Sequence, residues 1–198
     1  MDILKDMLMN PKLSEADFQK IIQQNISNLE EATNDPQSVA QVKLDKLTTF
    51  YPPSHPFYAS TLEEQTALYK KMKLSDVKSF YDKFYGANNG IAAVVGACTT
   101  ADMAKATETV FGKWNSKSVY QRMDEKYFEV KQITASTNIP DKTNATCLGN
   151  INLNLSSQHQ DYPAVYMADY LLGGGAFLSS RVAQRLRENE GMSYGAGS

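Results

Sequence analysis

Residues 171–198 read LLGGGAFLSSRVAQRLRENEGMSYGAGS, and the order of glycines, charges and aromatics there sets expectations for everything upstream. The Leu171-Leu172 pair closes one helix into Gly173-Gly174-Gly175, and Ser179 or Ser180 supplies the hydroxyl that opens another. That second helix is expected to end near Glu190-Gly191, with Gly191 redirecting the chain into a strand over residues 192–198. Arg187 then falls in the last helical turn and Tyr194 at the start of the strand, seven positions apart. If the helix packs beside the strand, both side chains point into one cleft. Gly195 and Gly197 clear one strand face for another backbone to approach. A guanidinium and a phenol facing a shared space are donors suited to a peptide carbonyl and to a developing oxyanion. On spacing alone, the plainer reading is a charged helix end beside a half-buried strand tyrosine.

Upstream, the first half of the chain reads as punctuated helices. Ser14 is an N-cap with Asp17 three residues on, and Phe18, Ile21, Ile22, Ile26 and Leu29 follow as a single buried stripe. Asp35-Pro36 restarts the pattern, and Val39, Val42, Leu47 and Phe50 line the helix that follows. Residues 51–57, YPPSHPF, form a loop because their prolines remove donors and disfavour helical neighbours. A third helix is expected after Thr61, and a fourth from Ser75 carrying Val77, Phe80, Tyr81 and Phe84 up to Gly86. Asn88-Asn89-Gly90 turns the chain into residues 91–97, an apolar run expected to be a strand covered on both faces. Thr99 or Thr100 caps another helix. A strand is expected at 127–133, a turn at Pro140-Asp141, and a half-buried strand at 146–155, where Asn150, Asn152 and Asn154 alternate with Ile151, Leu153 and Leu155. The last pattern could offer an edge to an extended peptide, although such alternation is more often a solvent face. A further helix opens at Pro163. The change of texture puts a boundary near residue 118, dividing 1–118, the later part of one domain, from 119–198, the first part of the next. A chain that stops inside a strand pattern is expected to be a segment of something longer.

Composition narrows the function classes. With 42% hydrophobic and 21% charged residues and a net charge of −2, the chain is globular and carries no electrostatic footprint for nucleic acid. No apolar run approaches the roughly 18 residues of a membrane span, and the polar N-terminus is not a secretory signal. Cys98 and Cys147 cannot make a disulfide framework and are expected to be small buried hydrophobes. Neither His55 nor His159 has a second histidine one helical turn away or a cysteine at ligand spacing, so no metal site is expected within this segment. There is no G-x-S-x-G elbow. The glycine run at 173–175 follows a helix rather than a strand, with no Gly-Lys-Ser/Thr after it, which argues against a phosphate loop.

The 171–198 stretch resembles the pattern L-G-G-G-x-x-x-S-R-L…L-R-E-x-x-G-x-S-Y-G of pitrilysin/insulinase-type zinc metallopeptidases. The upstream order agrees: Asp35-Pro36; His55-Pro56-Phe57; Leu74-Ser75-Asp76-Val77 with Phe80-Tyr81; Tyr85 and Asn88-Asn89 ahead of Ala93-Val94-Val95-Gly96; then Phe111-Gly112-Lys113-Trp114. The resemblance spans nearly the whole chain and departs at Val182 and Met192, both apolar replacements. It implies an α/β (α+β) fold, metallopeptidase-like domains with mainly antiparallel sheets flanked by helices, of which this chain holds parts of two.

Members of that family close two similar halves around an unfolded peptide, and the catalytic half carries H-x-x-E-H and a downstream glutamate. This sequence lacks the motif, and Asn25, Ile26 and Ser27 stand where the glutamate is expected. The resemblance therefore implies the non-catalytic, substrate-binding half of a zinc metallopeptidase, inactive alone. Zinc would be held by the parent chain or a partner half and not by this segment; the partners would be that catalytic half and the peptide substrate. By the same resemblance Arg187 grips substrate backbone carbonyls, Tyr194 hydrogen-bonds the tetrahedral intermediate, Gly195 and Gly197 admit the substrate backbone, and Arg181 is structural. The competing expectation is a non-proteolytic scaffold of the same fold, as in the peptidase-like core subunits of respiratory complexes. Any export signal would lie upstream, whether the parent is cytoplasmic or periplasmic.

Overall fold

A computed structural model of the chain describes residues 2–174 and 179–198; Gly175, the last of the glycine run, lies outside the described residues. The chain divides into two units, one ending at Ile151 and one spanning Asn152–Ser198.

The first unit is built from α1 (Asp2–Met9), α2 (Glu15–Ala32), α3 (Pro36–Thr48), α4 (Leu62–Lys71), α5 (Leu74–Phe84) and α6 (Thr100–Phe111). Each well-capped start follows from one side chain satisfying an otherwise orphaned helical N–H. Ser14 Oγ accepts from Asp17 N–H at 3.1 Å, the Asp35 carboxylate from Ser38 N–H at 2.8 Å, and Thr99 Oγ1 from Asp102 N–H at 3.1 Å. At α4 the box is reciprocal: Thr61 Oγ1 accepts from Glu64 N–H, and the Glu64 carboxylate accepts from Thr61 N–H at 2.8 Å. Helix α5 starts one residue earlier than Ser75, because Lys73 N–H donates to the Asp76 carboxylate at 2.8 Å, and it is closed by Tyr85 rather than Gly86.

Packing follows from the α2 stripe. Phe18, Ile22 and Ile26 are buried against Tyr69, Leu74 and Val77. Ile21 is exposed and Leu29 half-buried, since 18, 22, 26 and 29 share one helical face while 21 falls on its flank. Phe50 lies beyond α3 and meets Phe128 edge-on at 5.6 Å. The proline loop is held by buried Tyr51, whose ring stacks on His55 at 4.2 Å and meets Phe128 edge-on at 4.9 Å. The Pro140-Asp141 turn closes through Lys142 N–H to Ile139 C=O at 3.1 Å.

The expected α/β (α+β) fold with antiparallel sheets is overturned. Among the described residues there is helix but no strand. Residues 91–97, 127–133, 146–155 and 192–198 run without regular structure. Alternation specifies which side chains share a face, but a strand exists only where its N–H and C=O groups meet a neighbour's in a ladder, and among the described residues none of these runs forms one. Two instead satisfy a group locally: Cys98 N–H bonds Gly96 C=O at 2.9 Å and Leu155 N–H bonds Leu153 C=O at 2.8 Å, the three-residue closures of γ-turns. Without sheet neighbours, Ile91, Val95, Ile151 and Leu153 are exposed. For the same reason Cys98 and Cys147 are exposed free thiols and not buried hydrophobes. No helix among the described residues is long and apolar enough to cross a membrane.

The second unit opens with α7 (Tyr162–Asp169), Pro163 lying in its first turn, which continues as a π-helical turn over Tyr170–Gly174. A short α8 (Arg181–Ala183) likewise continues as a π-helix over Gln184–Asn189. Ser180 caps it, accepting from Ala183 N–H at 3.4 Å, and Ser180 and Ala183 are the buried residues described in this unit.

Candidate functional site

The helix-to-extended bend near the C-terminal end of the second unit carries the two side chains singled out from sequence. It is shaped by π winding. In a π-helix each N–H reaches one residue further back than in an α-helix, and such segments occur frequently at functional sites. Glu190 N–H reaches Arg185 C=O at 3.2 Å, an i to i−5 bond. The closure beyond it is lengthened too: Gly191 N–H bonds Arg187 C=O at 3.2 Å and Met192 N–H bonds Leu186 C=O at 2.8 Å. Each spans one residue more than the matching bond of a Schellman closure. Gly191 sits at φ +61°, the left-handed region that a Cβ disfavours, so a glycine makes the reversal without strain.

Past the reversal, Ser193 Oγ donates to Gly195 C=O at 2.6 Å, and the chain bends at Tyr194. This turns the Tyr194 ring back over the helix end. The Arg187 guanidinium carbon lies 4.7 Å from the ring centroid, and Arg187 Nε is 3.4 Å from a Glu188 carboxylate oxygen. A cation over an aromatic face at an exposed site contributes about 0.5–1 kcal/mol, enough to favour one mutual arrangement. Tyr194 is 83% exposed, while the Arg187 side chain is only 28% exposed. The half-buried arginine thus lies against a tyrosine ring that is largely exposed.

Of the four residues proposed from sequence, the structure brings Arg187 and Tyr194 into contact. Gly195 accepts the Ser193 hydroxyl at the bend. Gly197 is approached by a backbone, but by this chain's own: a Cβ on Gly197 would lie 3.2 Å from Gly173 C=O. From the other side a Cβ on Gly173 would lie 2.5 Å from Ser198 N. Gly173 and the terminal segment therefore approach each other at a distance that a side chain at 173 does not permit.

Sequence reasoning missed Arg185 and Glu190, whose guanidinium and carboxylate pair at 2.6 Å. In an α-helix residues five apart do not face each other, so opposite charges at that spacing beside a terminal glycine were the only available signal of π winding.

His55 Nδ1 accepts from Phe57 N–H at 3.1 Å beneath the Tyr51 stack, and His159 Nδ1 accepts from Asp161 N–H at 3.2 Å. Among the described residues no three His, Cys, Asp or Glu side chains gather into a set that could hold a metal ion.

Compared with known families, residues 71–198 match the family described as Peptidase M16 inactive domain. No curated protein matches the chain.

Proposed function

The chain belongs to the Peptidase M16 inactive domain family, a non-catalytic part of a peptidase-like protein, and from that premise we propose that it binds peptide substrate for a zinc centre carried by another half of the enzyme. The observation that carries this reading is the contact of Arg187 with the largely exposed ring of Tyr194 at one bend. Arg187 has several N–H donors in a fixed plane; half-buried and stacked on the Tyr194 ring, it is pre-organised to grip backbone carbonyls of an extended peptide. Tyr194 presents one O–H donor, suited to the oxygen of the attacked carbonyl as negative charge develops on it. Zinc, supplied by the catalytic half, would activate the attacking water. This chain's part is to hold the peptide and to place a donor where charge builds up.

Substitution of Tyr194→Phe in the complete enzyme removes only the hydroxyl. Steady-state cleavage of a fluorogenic peptide should show kcat lowered about 100- to 1000-fold, the usual consequence of losing one oxyanion donor. An unchanged kcat overturns the role given to Tyr194. Normal peptide binding with no cleavage in the wild-type complete protein would instead favour a scaffold.

A further inference from the structure

We propose that the Arg185–Glu190 ion pair is a clasp that positions Arg187 against Tyr194, an inference that rests on the substrate-binding reading of those two residues. The two clasp residues are joined twice. Glu190 N–H bonds Arg185 C=O at 3.2 Å, and the Arg185 guanidinium meets the Glu190 carboxylate at 2.6 Å. Backbone and side-chain links span the same five-residue interval, which is the π repeat itself. Arg187 lies inside that interval, and Glu190 directly precedes Gly191, whose φ of +61° reverses the chain toward Tyr194. Were the turn to relax to α winding, the backbone bond from Glu190 would shift by one residue and the two charges would no longer face each other. Arg187 and the start of the extended segment would rotate relative to each other. The ion pair thus favours the winding that stacks the guanidinium on the phenol.

The pair is solvent-accessible, with side chains 70% and 37% exposed, so its effect is that of a surface pair, roughly two- to fivefold on the positioned population. Neither residue is given a contact with substrate; both act through the Arg187–Tyr194 arrangement.

The test is a kinetic cycle in the complete enzyme with a fluorogenic peptide. Glu190→Gln should lower kcat roughly two- to fivefold. The charge-swapped double variant Arg185→Glu/Glu190→Arg should restore it, and Glu190→Gln should make no further difference on a Tyr194→Phe background. Where Tyr194→Phe itself lowers kcat, an unchanged kcat in Glu190→Gln, or a loss that persists in full on the Tyr194→Phe background, overturns the clasp. The second readout is independent of activity: the Nε–H resonance of Arg187 in arginine-labelled enzyme, displaced by the Tyr194 ring current. Glu190→Gln should move it toward the value of a free arginine, and an unmoved signal overturns the clasp even if Tyr194 proves to have no chemical role. A moved signal beside a silent Tyr194→Phe sinks the substrate-binding reading alone.

Discussion

The close approach of Gly173 to the terminal segment can be tested by adding one carbon. A Cβ at residue 173 would stand 2.5 Å from Ser198 N and 2.8 Å from Gly197 C, both backbone atoms. Ordinary non-bonded separation is about 3.5–4.0 Å, so the overlap is roughly 1 Å and no side-chain rotation can relieve it. Overpacking of this kind costs about 1–3 kcal/mol, against which Gly→Ala gains about 0.4–1 kcal/mol from the unfolded chain. Gly173→Ala should therefore weaken the docking of the terminal segment by about 1–2 kcal/mol, a factor of about 5–30. Gly197→Ala meets the same contact from its looser side, where only Gly173 C=O lies near at 3.2 Å, and should cost less. Hydrogen exchange by mass spectrometry on peptides covering 170–174 and 192–198 reads this directly, with peptides from α2 as the internal reference. Exchange in Gly173→Ala should quicken in both second-unit peptides and stay constant in α2. Unchanged exchange in Gly173→Ala, or a larger effect from Gly197→Ala, would refute the close approach.

Gly191→Ala should destabilise the bend by about 1–2 kcal/mol through φ alone, since nothing lies within 4 Å of the added carbon, and Gly191→Asn should cost less because asparagine tolerates the left-handed region; equal costs measured by exchange at 185–192 would sink this account. The first unit should lose stability in acid. The Ser38 hydroxyl and N–H hold the Asp35 carboxyl below its ordinary 3.8, and the Thr61 N–H, with Tyr58 and Lys46, holds Glu64 below its ordinary 4.5. Groups with depressed folded values stabilise above those ordinary values, and the contribution is lost as pH falls through the lower folded ones. Asp35→Asn and Glu64→Gln should flatten the acid limb of the denaturation midpoint against pH, and curves parallel to wild type would refute the linkage.

Caps were legible in the sequence because they are local. Ser14 and Asp35-Pro36 read as caps, Thr61 as the residue before a helix, and Thr99 and Ser180 each as one of two adjacent candidates; all five act within three residues and open helices. The Gly191 stop was legible for the same reason: only the residue's own φ matters. Pairing was not legible. The apolar run at 91–97 and the alternation at 146–155 describe faces without saying what covers them, and the fate of Cys98 and Cys147 hung on that missing partner. Winding was equally hidden, since α and π turns draw on the same propensities and differ only in which carbonyl each N–H reaches. The seven-residue interval between Arg187 and Tyr194 was plain. That the helix end carrying Arg187 is π-wound, with Arg185 and Glu190 facing across it, could be seen only from coordinates.

The π turn at Gln184–Asn189 makes this segment sensitive to residue count and not only to residue type. Adding a single position there, where the wider turn already holds a residue more than an α turn, would swing everything beyond it by about 100°, the angular step of one helical residue. Point changes there that leave Arg185 and Arg187 in place can drift, whereas such length changes cannot. A library mixing one-codon insertions with substitutions away from Arg185 and Arg187 should therefore separate into two populations across these six residues.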